Sequence, residues 1–182
     1  MRIIGGARRG KKLEAPKGQE TRPTTDRVRE SLFNILSHGY ADHVRDGYVL
    51  DAFCGTGALA LESLSRGATE ARLWDSSRQA LKVASRNIEV CGFADRAELR
   101  QLSATTPETT PRPATLIFLD PPYGAGLLSR CVSALKSAGW IDQNSLLVIE
   151  RASGSPESLP DGLDIVDDRR FGQTLITLAY LA

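Results

Sequence analysis

Apolar positions change their spacing repeatedly along the 182-residue chain, and each change marks an element. In RPTTDRVRESLFNIL, residues 22–36, Val28, Leu32, Ile35 and Leu36 recur at helical spacing, with Pro23 and Asp26 as start signals. A loop containing Gly39 and Gly47 leads into YVLDAF, a short β run. From there strand and helix alternate. GALALESLSR is a helix ended by Gly67, and EARLWD is a strand. SSRQALKVASRNIEVCG is a helix with Ser76 or Ser77 as N-cap, Leu81, Ala84, Ile88 and Cys91 on one face, and Gly92 as its stop. RAELRQL is a weaker strand, and the Thr/Pro-rich residues 105–113 are a loop. Strand TLIFLD, helix LLSRCVSALKSA closed by Gly139, and strand SLLVIE follow.

This exchange predicts parallel strands with crossover helices, an open sheet covered on both faces. The end of the chain departs from it. LDIVDDRRFGQTLITLAYL has two strand-like runs joined over Phe171 to Gln173, a hairpin that places one antiparallel strand in the sheet. The expected fold class is α/β and Rossmann-like: a mostly parallel seven-stranded sheet with an antiparallel C-terminal strand and helices on both faces. A chain of this length fits one domain, 1–182, with an N-terminal arm over about residues 1–40.

Composition narrows the class. With 41% hydrophobic and 25% charged residues the chain reads as a soluble globular protein. No apolar run approaches the roughly 18 residues of a membrane span, and MRIIGGARRGKK lacks the apolar core of a signal peptide. A cytoplasmic protein is expected. Cys54, Cys91 and Cys131, with only His38 and His43 beside them, fit neither a disulfide framework nor a zinc pattern, so reduced thiols and no metal are expected. Both histidines are expected at the surface near helix ends.

The net charge of +1 hides an asymmetry. Residues 1–30 hold nine Lys or Arg against four acids, a net +5, and the remainder carries −4. A basic arm suits a phosphate backbone; a merely solvated segment would have the same composition.

Chemistry concentrates in two stretches. In VLDAFCGTGALALE, residues 49–62, Asp51 closes a strand and Gly55-Thr56-Gly57 turns into a helix whose free N–H groups face a ligand crevice. An acid four residues before the first glycine repels a pyrophosphate but suits the cationic, ribose-bearing S-adenosylmethionine. Asp75 ends the next strand 18 positions beyond Gly57, where a ribose-binding acid is expected; capping the following helix is an equally open role.

The second stretch is LDPPYG, where Asp120 ends a strand 69 positions after Asp51. Pro121 and Pro122 fix the backbone and cannot donate hydrogen bonds, which leaves neighbouring carbonyls as outward acceptors. Tyr123 offers a face for stacking an extruded base. An exocyclic amine is a poor nucleophile because its lone pair is delocalised into the base. Accepting its hydrogens with the Asp120 carboxylate and a proline carbonyl aims that pair at a methyl group. Asp-Pro-Pro is also a common turn, and its position after the fourth strand is what gives it meaning.

These residues resemble the class I S-adenosylmethionine-dependent methyltransferases that modify exocyclic amines, a class that the terminal hairpin separates from dinucleotide folds. More closely the chain resembles the RsmD-like family of bacterial 16S rRNA guanine-N2 methyltransferases. The likeness runs through MRIIGGARRGKKL, RPTTDRVRESLFNIL, LDAFCGTGALALE, LDPPYG and the late FGQT. It implies S-adenosylmethionine as donor, no metal, and a guanine of 16S rRNA in an assembled or partly assembled 30S subunit as target; the sequence carries no sign of an oligomer, and a monomer is expected. By position it implies a donor site along Asp51, Phe53, Gly55, Thr56, Gly57, Asp75, Ser76, Ser103 and Ala104. Asp120, Pro121, Pro122 and Tyr123 would act on the amine and base. Thr24, Asp26 and Arg27 would close over the donor or meet RNA, and Arg2, Arg8, Arg9, Lys11, Lys12 and Arg22 would bind RNA. The chain departs from the family where Asp75 replaces a glutamate, Ser103 replaces an acid or asparagine facing the adenine amine, and Cys54 replaces an alanine. Alternatives are an adenine-N6 methyltransferase, against which the lack of a DNA-reading domain counts, a non-catalytic RNA-binding assembly factor, and a nucleotide-dependent oxidoreductase.

Overall fold

The computed structural model describes residues 1–15, 26–122, 126–154 and 158–182. Five strands run parallel: β1 (Tyr48–Asp51), β2 (Glu70–Asp75), β3 (Ala97–Gln101), β4 (Leu116–Leu119) and β5 (Leu146–Ala152). β6 (Leu163–Phe171) and β7 (Thr174–Leu181) form the C-terminal hairpin. In the order β3-β2-β1-β4-β5-β7-β6, β7 pairs antiparallel with both neighbours, so among the described strands it alone runs against the rest. β1 and β4 are buried at every position, which is why YVLD and LIFL show no polar alternation.

Alternation along the strands divides the core into two layers. Val49, Leu73, Phe118 and Val148 face one side, under α1 (Asp26–Gly39), α3 (Ala58–Ser65) and α4 (Arg78–Cys91). Leu50, Trp74, Ile117, Leu119 and Ile149 face the other, where α5 (Leu127–Ser137) and Trp140 close the layer. Trp74 and Trp140 meet edge to face at 4.7 Å. Ser77 caps α4, its hydroxyl accepting from the Ala80 N–H, and Gly92 ends that helix in the left-handed region.

Two expectations need correction. The segment between Gly39 and Gly47 contains a short helix, α2 (Ala41–Val44), too brief to show periodicity but fixed by the buried Val44. His43 within it is half-buried, not a surface residue. Its Nε2 lies 3.2 Å from the Tyr180 hydroxyl, and burial pushes its pKa down. His38 is exposed at the end of α1.

Residues 1–15 are docked on the first layer. Arg2 bridges Lys12 in antiparallel fashion, and Ile3 and Leu13 enter the core. Glu62 of α3 is fully buried and holds this segment: its carboxylate accepts from the N–H groups of Ile4 at 2.7 Å and Gly5 at 2.8 Å, and from Arg66 Nε at 2.7 Å. A buried charge with three donors is strongly coupled to its surroundings, and its removal orphans all three. Glu62→Ala is therefore expected to lower unfolding free energy in urea by about 3 kcal/mol and to speed hydrogen exchange at the Ile4 and Gly5 amides. Unchanged exchange there would show that the segment is held by other contacts.

Candidate active site

Strand register brings four carboxyl groups to one edge of the sheet. Asp51 pairs with Leu73 on β2 and Phe118 on β4, so Asp75 and the position of Asp120 lie two residues further along each strand, on the same face. Leu119 pairs with Ile149, which sets Asp120 level with Glu150. Asp51, Asp75, Asp120 and Glu150 thus share the face and the carboxyl-terminal edge where open α/β sheets bind ligands.

Between the β2 and β4 acids, β1 continues into the glycine turn. Gly55 N–H donates to Asp75 Oδ2 at 2.9 Å, and Asp75 Oδ1 accepts from Ser77 N–H at 2.8 Å. Asp75 therefore joins the glycine turn to the start of α4, and its remaining lone pairs stay available to hydroxyl groups. The Ala60 N–H, in the first turn of α3, points at Asp51 Oδ2 at 3.3 Å. Gly55 and Gly57 both have positive φ, 52° and 78°. Their surroundings differ: a Cβ at Gly57 would lie 2.9 Å from Leu73 Cδ2, whereas at Gly55 it would point into open space. Gly57 is needed for packing and Gly55 leaves bare backbone toward the crevice.

Burial, with the nearby Asp75 charge adding to it, pushes the Asp51 carboxyl up to about 7. The Cys54 thiol, buried beside the same acids, is held well above its ordinary value. Asp120 is surrounded by strand ends but exposed along one side. Desolvation, then the negative Glu150 and Asp51, push its carboxyl up to about 8. Solvent on the open side screens part of that push. Pro121 is buried against the strand end and Pro122 is exposed.

The remaining predicted residues fall into three groups. Phe53, Ser76, Ser103 and Ala104 lie near the strand ends. Phe53 packs on the second layer, where Ala104 is buried, and Ser76 is exposed. Ser103 Oγ is 2.8 Å from Thr105 Oγ1 and accepts from Thr105 N–H, so its hydroxyl is engaged locally. Asp26 and Arg27 begin α1 and, with Arg2, Arg9 and Glu30, line a cleft of about 410 Å³ beside the N-terminal segment. Arg2, Arg9, Lys11 and Lys12 are exposed on that segment. Arg8 is exposed as well, and its Nε donates to the Cys91 carbonyl at 2.8 Å with its guanidinium lying over Phe93. Arg22, Thr24 and Tyr123 lie outside the described residues.

Three polar residues that sequence reasoning passed over connect this site to the rest. Asn87, fully buried on α4, donates to the Thr56 carbonyl at 2.9 Å and exchanges hydrogen bonds with the Glu14 backbone. It ties the glycine turn to the N-terminal segment. Arg29, also buried, donates to the Arg2 carbonyl and to Asp26. Glu62 is the third. The available signal was an amide or charge set among the apolar positions of an amphipathic helix, a place where only a partnered polar group is tolerated.

The sheet order, the lone antiparallel β7 and the acid-flanked glycine crevice define a class I methyltransferase fold. The family model described as "Conserved hypothetical protein 95" matches residues 1–180, and the chain belongs to this family. A relative named "Ribosomal RNA small subunit methyltransferase D" from Escherichia coli K12 is 39% identical over 152 residues, covering 82% of this chain and 74% of its own length. The protein of the same name from Haemophilus influenzae is 31% identical over 182 residues, with 94% and 89% covered. A solved structure titled "Putative methyltransferase yhhF from Escherichia coli" superposes with a TM-score of 0.82 at 31% identity, covering 100% of this chain and 97% of that one. Among the described residues no helix is long and apolar enough to cross a membrane, and no group of His, Cys, Asp and Glu could hold a metal ion.

The state of Asp51 has a measurable consequence. Its folded value of about 7 exceeds the ordinary 3.8, so between these values the folded protein keeps a proton that the unfolded chain has lost. Stability from this group is full at low pH and is lost as pH rises from about 4 through about 7. In Asp51→Asn that slope is absent. Relative to the native protein, the variant's unfolding free energy in urea should rise by about 2 kcal/mol between pH 5 and pH 8. Parallel stability curves would show that Asp51 is ionised throughout.

Proposed function

We propose that this protein transfers a methyl group from S-adenosylmethionine to the exocyclic N2 of a guanine in 16S rRNA, within an assembled or partly assembled small subunit. The observation that carries the reading is the placement of Asp120 at the crevice edge, on the face of Asp51 and Asp75, with the glycine turn between them. The family and the names of its relatives support rRNA as the substrate class. The exposed Arg2, Arg9, Lys11 and Lys12 support contact with a phosphate backbone.

The residues present fit a cationic donor. Burial and mutual repulsion raise Asp51 and Asp120, and a positive ligand beside them relieves that repulsion. Gly55 leaves backbone accessible without a side chain in the way. In this reading Asp51, Gly55, Gly57 and Asp75 hold the donor, with Phe53, Thr56, Ser76, Ser103 and Ala104 completing its site. S-adenosylmethionine supplies an electrophilic methyl group. Asp120 accepts a hydrogen bond from the target amine and, with a proline carbonyl, orients its lone pair; Tyr123 stacks on the base. Catalysis then comes from positioning and from charge placed in advance.

Labelled S-adenosylmethionine incubated with the protein and small subunits from cells lacking the modification should place label on guanine N2. Label on adenine N6 would favour the adenine-modifying alternative, and no label at all would favour an assembly factor. Asp120→Ala is expected to slow transfer by about 100-fold or more while calorimetric donor affinity stays within a few-fold. Persisting transfer would remove Asp120 from the reaction.

A further inference from the structure

A second carboxyl beside Asp120 has no part in the donor contacts described above. β4 and β5 are parallel neighbours whose pairing runs from Leu116↔Leu146 to Leu119↔Ile149. One step further places Asp120 next to Glu150, at the spacing of adjacent strands, about 4.8 Å. Residues 116, 118 and 120 share a face with 146, 148 and 150, since Leu116, Phe118, Leu146 and Val148 all belong to the first core layer. We propose that Glu150 is a positioning residue for Asp120: the two carboxyls share one proton in the free protein, and the pair takes up the proton that the target amine loses. This rests on the methyl-transfer reading above.

Among the described charges around the pair, Arg169 of β6 shares the face by register through Ile176 and is bound to Asp167. Two carboxyls on neighbouring strand positions, partly desolvated by the strand ends, cannot both ionise cheaply. Asp51 adds a third negative charge from β1, one strand over and one level below. Arg151, the next residue along β5, belongs by alternation to the opposite face, where it donates to Thr177 and approaches Asp168 at 4.0 Å. On α1, which covers the shared face, Arg29 is bound to Asp26 and to the Arg2 carbonyl, while Arg27 and Glu30 are exposed. Burial and the Glu150 charge, in that order, are the leading causes that raise the Asp120 carboxyl.

Methylation of an amine makes a proton acceptor necessary. The nitrogen lone pair forms the new N–C bond, the donor's sulfur keeps the pair of the broken C–S bond, and one N–H proton must leave. A carboxylate of ordinary basicity is a weak acceptor for it. One raised toward neutrality by a like-charged neighbour combines an ionised fraction with real basicity near the working pH. The cationic donor lowers the charge repulsion as it binds, so the shared proton is released at that point and the base is ready before the target arrives. The neutral by-product S-adenosylhomocysteine lacks that charge and leaves the shared proton in place.

The test compares native protein with Glu150→Gln, which keeps shape and removes the charge. In free protein labelled with ¹³C at aspartate carboxyls, the Asp120 resonance, assigned with Asp120→Asn, should titrate about one pH unit or more lower in the variant. Calorimetry in two buffers of different ionisation enthalpy should show proton release when native protein binds S-adenosylmethionine, little with S-adenosylhomocysteine, and at most half the native release in Glu150→Gln. In single-turnover transfer, the ratio of the rate at pH 6 to that at pH 9 should rise about tenfold in the variant. Superimposable native and variant titrations overturn the pairing. Should Glu150→Gln fail to fold, protein labelled with ¹³C at glutamate carboxyls follows Glu150 instead: it must titrate lower in Asp120→Asn than in native protein, and no shift there also overturns the pairing. The methyl-transfer reading fails separately, if native protein binds no S-adenosylmethionine or methylates no RNA whatever its titration.

Discussion

One carboxylate fixes the shape of the ligand crevice. Asp75 accepts from Gly55 with one oxygen and from Ser77 with the other, so the turn after β1 and the turn after β2 are held by the same group. The Ser77 N–H belongs to a helix entry, where the backbone has no internal partner and an acid is electrostatically favoured, and the Gly55 N–H lies in the turn that leads to α3. With these turns joined, Gly55 presents its backbone outward and Asp51 lies beneath it, buried and reluctant to ionise. The same arrangement gives Asp75 its helix-capping character without excluding a second role toward a ribose, because capping uses only part of its acceptor capacity.

The crevice is also braced from outside the sheet. Asn87 links Thr56 of the glycine turn to the backbone at Glu14, and Glu62 grips Ile4 and Gly5. The basic N-terminal stretch is therefore part of the wall behind the site. Ile3 and Leu13 anchor it in the first core layer, while Arg2, Arg9, Lys11 and Lys12 point their charge outward. Buried polar residues are costly unless partnered, and here several of the partners are backbone groups of that segment, at Ile4, Gly5 and Glu14.

Much of the fold was legible in advance. β1 and β4 appear as unbroken apolar runs because both faces are covered, and α4 shows its apolar face, cap and glycine stop. The hairpin over Phe171 to Gln173 announced the reversed strand. Asp51, Asp75 and Asp120 were legible as strand-ending acids. Four features were not. α2 is too short to have a period, and the partial burial of His43 follows from Tyr180, which is 137 positions away. The contacts of Arg8 with Cys91 and Phe93 join segments far apart along the chain and leave no local signature. Glu150 lies inside an ordinary strand, two residues before its end, and nothing local marks it.

What the sequence by itself determined is periodicity and punctuation: which segments are strands or helices, where they stop, and which acids stand at the stops. Those are set by interactions within a few residues. Which acid neighbours which, and which charges are buried, was decided by tertiary structure. Register between β1, β2, β4 and β5 puts Asp51, Asp75, Asp120 and Glu150 on one face, and desolvation there changes their chemistry. Proximity and loss of water are properties of the packed sheet, and no window along the chain contains them.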